Sequence, residues 1–580
     1  MADWIDHEVD VLVAGAGPSG LSLAVELRRL GASCALVDEK DGPTPERESR
    51  ALAIHAASLE AFHRMGVVGR MRDEGRVAHG FGVYRAASRI LDVRLTLAPD
   101  ETRFPFVLVL PQGRTERILL DRLEDLGGDV EWGTRLVSFK TDLGGVTAEL
   151  KGGGGRTIYV RAKWLIGCDG ARSVVRHGLG LEFKGGEYPE RFLLADAEVS
   201  WGLSVDEASV VLTPDGALIA IPLLEEGRWR LIDATGRSDA ATPDAILARV
   251  RELAGPLSGL GGRVGEASWT SSFVIHRRVV DRYRAGRAFV VGDAAHLHSP
   301  AGGQGMNTGV QDAANLAWKL AMVLRGESPE SILDSYDLER RPVAERVLNS
   351  TDRIMRLIAP RNPLARAARD AALAGLGRIE AVRRLISREM AELSVSYRRS
   401  PIVGESRPGW FRATAVEGAT GFNANESFRR GPKPGDRLPD VLLAQSDPTS
   451  GLPMRLSDVA FREDPGHDPD ADARPRHVLL VFQGLRPESG AFRVDFLAEE
   501  FIPPHLAGRI RPILVEPRTP IEDSPAWRGE RLPDPTNALH RRFGAEGACL
   551  FLVRPDGYIG FRARPLDPLA FREYAKRIFL

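Results

Sequence analysis

Residues 9–20 read VDVLVAGAGPSG, and this short stretch decides the fold. The apolar run Val9 to Ala14 predicts a strand. Gly15, Gly17 and Gly20 follow in a GxGxxG arrangement completed by Pro18 and Ser19. Leu21, Ala24, Leu27 and Leu30 then recur at helical spacing, and a second apolar run covers Cys34 to Val37. Strand, glycine turn, helix and strand make a β-α-β unit with a parallel sheet. In such a turn the first glycine permits a tight bend, the second lets a pyrophosphate approach the backbone, and the third lets helix and strand pack closely. The helix start offers unpaired N–H groups and a partial positive charge to phosphates. Asp38 ends the second strand, where a carboxylate can accept hydrogen bonds from ribose hydroxyls; its neighbour Glu39 is the second candidate. The stretch therefore predicts a dinucleotide site.

Working outward, the chain has 580 residues, which suggests roughly three domains. With 43% hydrophobic and 27% charged residues it has the make-up of a soluble globular protein. A formal net charge of −1 gives no reason to expect binding to nucleic acid or to a membrane surface. Cys34, Cys168 and Cys549 are far apart, so neither a disulfide framework nor a metal site is expected. Few cysteines, no leader-like N-terminus and no apolar run near the ~18 residues of a membrane span point to the cytoplasm.

The first unit, residues 1–180, continues with helix and loop at 50–75, a strand-like run Phe106 to Leu110, a break at Pro111-Gln112-Gly113 and a further helix. Alternating runs over 130–170 end in the apolar strand Trp164 to Cys168. Residues 181–275 read as an inserted antiparallel sheet, with runs such as Val210–Leu212 and Leu218–Leu223 separated by turns. The parallel pattern returns in 276–400, first as a strand, then as a helix at 306–324 with an apolar stripe on one side. A Gly-, Pro- and Asn-rich linker is expected at 401–430. The last unit, 431–580, has strand candidates His477–Phe482, Ile513–Val515, Cys549–Val553 and Tyr558–Phe561 and a closing helix. Glu463 to Arg476 reads as an acidic, solvated loop.

Two later motifs narrow the cofactor. GCDGARS, residues 167–173, places Asp169 in a turn after a strand. GDAAHLHSPAGGQGMNTGVQDAANLAWKLA, residues 292–321, opens with Gly292 and Asp293 after the apolar strand Ala288 to Val291. Together with the opening fingerprint, over roughly residues 8–360, these resemble the single-component FAD-dependent aromatic hydroxylases, the phenol- and polyketide-hydroxylase class of flavoprotein monooxygenases. The resemblance implies that Asp293 binds the FAD ribitol. It implies that Asp169 is associated with the cofactors, and that Arg50 and Gln112 contact the flavin side. It further implies that the carbonyl of Pro300 and the backbone of Gly303, Gly305, Met306 and Asn307 line the flavin ring. A helix starting near Met306 would point its positive end at that ring.

One GxGxxG is present, so NAD(P)H has no Rossmann domain of its own and, as the resemblance implies, docks transiently as co-substrate. The implied reaction uses NAD(P)H and O2 to hydroxylate an aromatic small molecule through a flavin C4a-hydroperoxide, with water kept out. Baeyer–Villiger oxidation or epoxidation on the same flavin is the alternative reading, and a non-enzymatic flavin sensor ranks below it. The WxWxIP pair of flavin halogenases is absent. No catalytic residue is assigned: His55, Tyr188 and His276 are candidates for a general base, and His296 and His298 read as shaping the cofactor loop. Residues 431–580 resemble the thioredoxin-like domain of the larger hydroxylases. Gln483-Gly484-Leu485-Arg486 follows its first strand without a CxxC, so the domain reads as structural or as a homodimer contact. The fold class is thus α/β: a Rossmann-type FAD-binding domain with an inserted antiparallel sheet, a helical segment and a C-terminal thioredoxin-like α/β domain.

Overall fold

The computed structural model describes all residues except 1–6, 46–50, 96, 99, 215, 237–239, 241, 299–301, 359–361, 407–424, 447–452, 463–475, 486–501, 520–526 and 528. The opening motif forms the expected unit: strand β1 (His7–Ala14), helix α1 (Pro18–Arg29) and strand β2 (Cys34–Val37). β1 lies at the centre of a sheet and pairs in parallel with β2 on one side and with Thr157–Gly167 on the other. Ala288–Val290 adds to Thr157–Gly167, again in parallel. Two chain segments more than a hundred residues apart thus share one sheet with β1. Strands buried on both faces need apolar side chains throughout, and Val11 to Ala14 and Trp164 to Ile166 supply them. α1 is buried from Gly20 to Leu27, more widely than a single apolar stripe requires.

A second sheet of eight strands carries the inserted segment. Its two longest strands, Phe183–Ser200 and Arg263–Val280, pair antiparallel and tie the insert to the flanking sheet. Gly80–Arg85 and Ser88–Arg94 also join it, and Ala208–Thr213 pairs in parallel with Gly80–Arg85. The helix Pro243–Ala254 covers one face, packing Ile246, Val250 and Leu253 against Leu193, Ala195 and Leu231. The alternate residues Phe192, Leu194 and Ile232 point to the opposite face, as the two-residue period of a strand requires.

The helix expected at 306–324 runs Gln304–Leu324. Its burial is not one-sided: every residue from Asn307 to Met322 is buried, including Gln311, Asp312, Asn315 and Lys319. Buried polar groups of this kind must be hydrogen-bonded, and their partners come from helix Asp334–Ile358 and from the C-terminal unit. That unit holds a six-stranded sheet around His477–Phe482 and Cys549–Val553, with Gly404–Ser406 as an edge strand. Cys549 is fully buried in it. The turn Gln483 to Leu485 follows the strand His477–Phe482, while Arg486 and the 463–475 stretch lie outside the described residues. Among the described residues, no helix is long and apolar enough to cross a membrane, and no cluster of three or more His, Cys, Asp or Glu could hold a metal.

Candidate active site

Three turns, distant in sequence, come together at the C-terminal ends of the parallel strands, where open α/β sheets bind ligands. The first is the glycine turn of 15–20. A Cβ on Gly15 would lie 2.4 Å from the carbonyl oxygen of Cys168, so the first turn abuts the second. A Cβ on Gly292 would lie 2.5 Å from Ser19 Oγ, so the third abuts the start of α1. Arg176 bridges the second and third: its guanidinium donates to the carbonyls of Ala171 (2.7 Å) and Ala294 (3.2 Å). Sequence reasoning passed over Arg176, since an arginine inside a short helix carries no motif.

The groups around this junction suit a dinucleotide. No side chain caps the N-terminus of α1, leaving its first N–H groups to a ligand, and Pro18 removes one donor that the helix cannot use. A Cβ placed on Gly17 meets no protein atom within 4 Å, so the space above it is open. Asp38 is buried and holds the turn itself: Ala16 N–H donates to Oδ2 at 2.7 Å and Lys40 N–H to Oδ1 at 2.9 Å. Each oxygen keeps a second acceptor site for a ribose hydroxyl. Glu39 is exposed beside it. Asp169 Oδ2 accepts from the amides of Val174 (2.6 Å) and Val175 (3.2 Å), while its buried Oδ1 has no protein partner. Burial raises the Asp169 carboxyl above its ordinary range. Asp293 stands exposed in the third turn, and Gly292 beneath it donates its amide to Asp312 at 3.3 Å.

A second glycine loop starts the 304–324 helix. Gly303 is the N-cap, left-handed and without a side-chain cap. A Cβ there would meet that of Ala53 at 2.8 Å, so only glycine passes. The side chain of Asn307 is held within the protein: Nδ2 donates to Ala53 O (2.8 Å) and Gly303 O (2.7 Å), and Oδ1 accepts from His55 N (2.9 Å). Both of its amide hydrogens are thus taken, so the side chain has no donor to offer a cofactor. Gly305 lies against His298, and Met306 packs half-buried on the main core. His55 is buried, and desolvation pulls its ring down to about 4, so the ring is neutral. Its Nε2 donates to Gly302 O at 2.8 Å, which makes His55 a clamp on the loop rather than a free base. Gln112 starts the helix Gln112–Asp125; its Nε2 donates to Glu116 at 2.8 Å and its backbone amide to Ala51 O at 3.0 Å. Arg50 and Pro300 lie outside the described residues, as does the side chain of Tyr188. His276 lies in the long strand Arg263–Val280, opposite Glu187. His296 Nε2 donates to the Asp312 carboxylate at 2.9 Å, which fits a shaping role for that segment.

Glu392 was not anticipated. It has a left-handed backbone (φ 57°) and a carboxyl buried against Gln311 on the far side of the 304–324 helix. Its Oε1 has no partner. Desolvation, opposed by Gln311 and Arg340, pushes the carboxyl up to about 8, so it is protonated at neutral pH. The native state then binds one more proton here than the unfolded chain between about pH 4.3 and the raised value. Stability from this group is complete below that window and is lost as pH rises through it. Glu392→Gln keeps the neutral form at every pH. We predict that the melting temperature of wild type falls relative to that of Glu392→Gln between pH 5.5 and 9. Parallel melting curves across that range would disprove a neutral buried carboxyl.

Comparison with known proteins places this architecture. Residues 8–351 match the family model described as an FAD binding domain. The chain is 36% identical to 6-methylpretetramide 4-monooxygenase of Streptomyces rimosus, over 96% of this chain and 90% of that one. It is 31% identical to pentachlorophenol 4-monooxygenase of Sphingobium chlorophenolicum, over 95% and 93%. An anhydrotetracycline hydroxylase structure from Streptomyces rimosus superimposes with a TM-score of 0.70 at 29% identity, covering 99% of both chains. The chain belongs to the FAD-binding monooxygenase family and is a flavin-dependent oxidoreductase.

Proposed function

We propose that the substrate is a phenolic or polyketide-like aromatic molecule, hydroxylated with electrons from NAD(P)H and oxygen from O2. The observation that carries this reading is the face of the second sheet opposite the helix Pro243–Ala254. Phe192, Leu194 and Ile232 line it with the half-buried Ile219, Ile221, Trp269 and Phe273. Phe192 and Phe273 pack with ring centroids 6.1 Å apart. Ile221 also packs with Leu52, whose neighbour Ala53 accepts from Asn307 at the glycine loop. A largely apolar, aromatic wall, interrupted by the buried Asp196–Arg230 ion pair with Arg230 stacked on Trp269, therefore stands beside the loop that would hold the flavin ring. Such a wall binds a flat ring by burial and stacking and excludes water. The related tetracycline-type and chlorophenol enzymes act on compounds of this kind, and they favour hydroxylation over Baeyer–Villiger oxidation or epoxidation.

In this reading the backbone of Gly15, Gly17, Pro18, Ser19 and Gly20 holds the FAD pyrophosphate. Asp38, with Glu39 beside it, takes the adenosine ribose, and Gly292 with Asp293 takes the ribitol. Gln112, Arg50 and Asp169 border the cofactor. Gly303, Gly305, Met306, Asn307 and Pro300 lie against the ring through their backbone. When bound, FAD accepts hydride from NAD(P)H and activates oxygen for insertion into the substrate. The protein's own part is to orient the ring, keep it dry and present the positive end of the 304–324 helix to the reduced cofactor. We assign 1–180 and 276–400 to the FAD-binding domain, 181–275 to the substrate sheet, 401–430 to a linker whose ends, Gly404–Ser406 and Phe428, join the C-terminal sheet and core, and 431–580 to a thioredoxin-like domain without a redox pair. That last domain serves structure or a homodimer contact, and the site of action is the cytoplasm.

The test is NAD(P)H consumption with and without a panel of simple phenols and linear fused-ring phenols, with products read by mass spectrometry. The expected result is substrate-stimulated oxidation and a product gaining one oxygen. Consumption that never yields an oxygenated product on any of them would defeat the hydroxylase reading. Phe273→Ala, which thins the wall, should raise KM by about tenfold, the value of burying one aromatic contact, and increase peroxide release.

A further inference from the structure

Six ionisable side chains are buried together where the C-terminal unit meets the flavin-binding unit. Three are cationic (Lys319, Arg340 and Arg554) and three anionic (Asp312, Glu339 and Asp556). Arg554 begins the Arg554-Pro555-Asp556-Gly557-Tyr558 turn after strand Cys549–Val553, and its guanidinium grips Glu339 with two prongs, at 2.6 and 2.9 Å. Asp556 backs it at 3.0 Å. Glu339 also accepts from Lys319 (2.9 Å), Asn315 (2.7 Å) and Ser400 (2.6 Å).

The next residue on the helix, Arg340, donates to Asp312 at 2.6 Å, to Thr308 O at 3.1 Å and to Tyr397 Oη at 2.9 Å. The ring of Tyr397 lies 4.2 Å from that of Tyr558 in the same C-terminal turn. Asp312 in turn accepts from the amide of Gly292 at 3.3 Å. A run of contacts therefore joins the 554–558 turn to the 292–294 turn that carries Asp293, passing from Glu339 to Arg340 along the helix backbone and from Tyr558 to Arg340 through the Tyr397 ring. Burying charges at both ends is costly unless every one is matched, so the arrangement is rigid.

We propose that the C-terminal unit is a working part of the flavin site: Arg554 is a positioning residue that, through Glu339 and Arg340, holds Asp312 and the Gly292 amide, and so fixes Asp293 for the cofactor. The proposal rests on the assignment of Asp293 to FAD. A separate redox or dimerisation role for the C-terminal unit is not needed for it.

The experiment uses the full chain. FAD affinity of the apoprotein is titrated by flavin fluorescence, and the visible circular dichroism of the reconstituted flavin is recorded. This is done for Arg554→Met, Arg554→Lys and Asp293→Ala, with Phe561→Ala as a control that opens a cavity in the C-terminal sheet without removing a member of the ion cluster. Arg554→Met should weaken FAD binding by about tenfold, the scale on which a coupled network responds to loss of one member, and alter the flavin dichroism. Arg554→Lys, which keeps the charge but not the two-pronged grip, should recover part of both. Phe561→Ala should melt earlier with FAD affinity unchanged.

Wild-type affinity and dichroism in Arg554→Met or, if that variant does not accumulate, in Arg554→Lys, would overturn the proposal. An equal loss of affinity in Phe561→Ala would also overturn it, because it would mean general destabilisation. If Asp293→Ala alone binds FAD normally, the assignment of Asp293 has failed. If Asp293→Ala is weakened while the Arg554 variants are not, the relay alone has failed.

Discussion

Asp293→Ala is expected to purify without its yellow colour while keeping its fold. The two halves of that result have separate causes. Asp293 is exposed and sits in a turn whose backbone is held from beneath by Asp312 and from the side by Arg176. Truncating it removes no core packing, so the apoprotein should melt within a degree or two of wild type. What it removes, in the proposed reading, is a charged acceptor for the ribitol hydroxyls. Hydrogen bonds from ligand hydroxyls to a carboxylate contribute about 1.5–3 kcal/mol, which is roughly a 10- to 100-fold rise in the FAD dissociation constant. Asp293→Asn keeps an acceptor without the charge and should fall between. The measurement is the flavin-to-protein absorbance ratio after gel filtration, followed by titration of FAD into the apoprotein. A fully yellow, fully active Asp293→Ala would remove Asp293 from the site.

How much of this was legible in the sequence follows from what each signal encodes. Local signals worked well. The glycine turn at 15–20 and the strand Cys34–Val37 are set by nearest neighbours and appear where the pattern puts them, while the helix Gln112–Asp125 takes in the Gln112 and Gly113 expected to break the chain before it. The helix at 304–324 begins two residues before the expected start, because Gly303 in the left-handed region caps it and Gln304 opens it. What was misread there was its surroundings. A periodic apolar stripe speaks for one face only. The polar face, Asp312, Asn315 and Lys319, looked like solvent, yet it is buried because Arg340, Glu339 and Arg554 arrive from elsewhere in the chain to satisfy it. No local pattern announces a partner 241 residues away, as Asp556 is to Asn315. The strands Gly80–Arg85 and Ser88–Arg94 alternate well enough to be recognised, but their membership of the second sheet is a long-range pairing that alternation does not encode. His55 and Asn307 are another case. His55 was a candidate base and Asn307 a backbone contact of the ring, and the side chains of both hold the glycine loop in shape.

The glycine fingerprint allows a sharper test, because its members do different work. A Cβ on Gly20 would lie 1.8 Å from the carbonyl oxygen of Gly15, a backbone atom that cannot swing aside. Gly20→Ala must therefore push α1 away from its own turn, and overpacking against main chain costs at least about 1–3 kcal/mol. Gly17 is the opposite case. Its φ of −74° and ψ of −176° suit any L-residue, and an added Cβ meets no protein atom within 4 Å. Nothing in the protein requires glycine there, so the requirement must come from what fills the space. If that is the FAD pyrophosphate, Gly17→Ala should fold and melt as apoprotein much as wild type does. It should nevertheless bind FAD more weakly by about 10- to 100-fold, since the methyl group holds the phosphates off the amides at the start of α1. Gly20→Ala should lose thermal stability and FAD together. The pair separates fold from ligand within six residues of one turn, read by apoprotein melting and FAD titration side by side. Were Gly17→Ala to bind FAD as tightly as wild type, the phosphates would lie elsewhere, and the reading of residues 9–20 would keep its strand and helix but lose its dinucleotide.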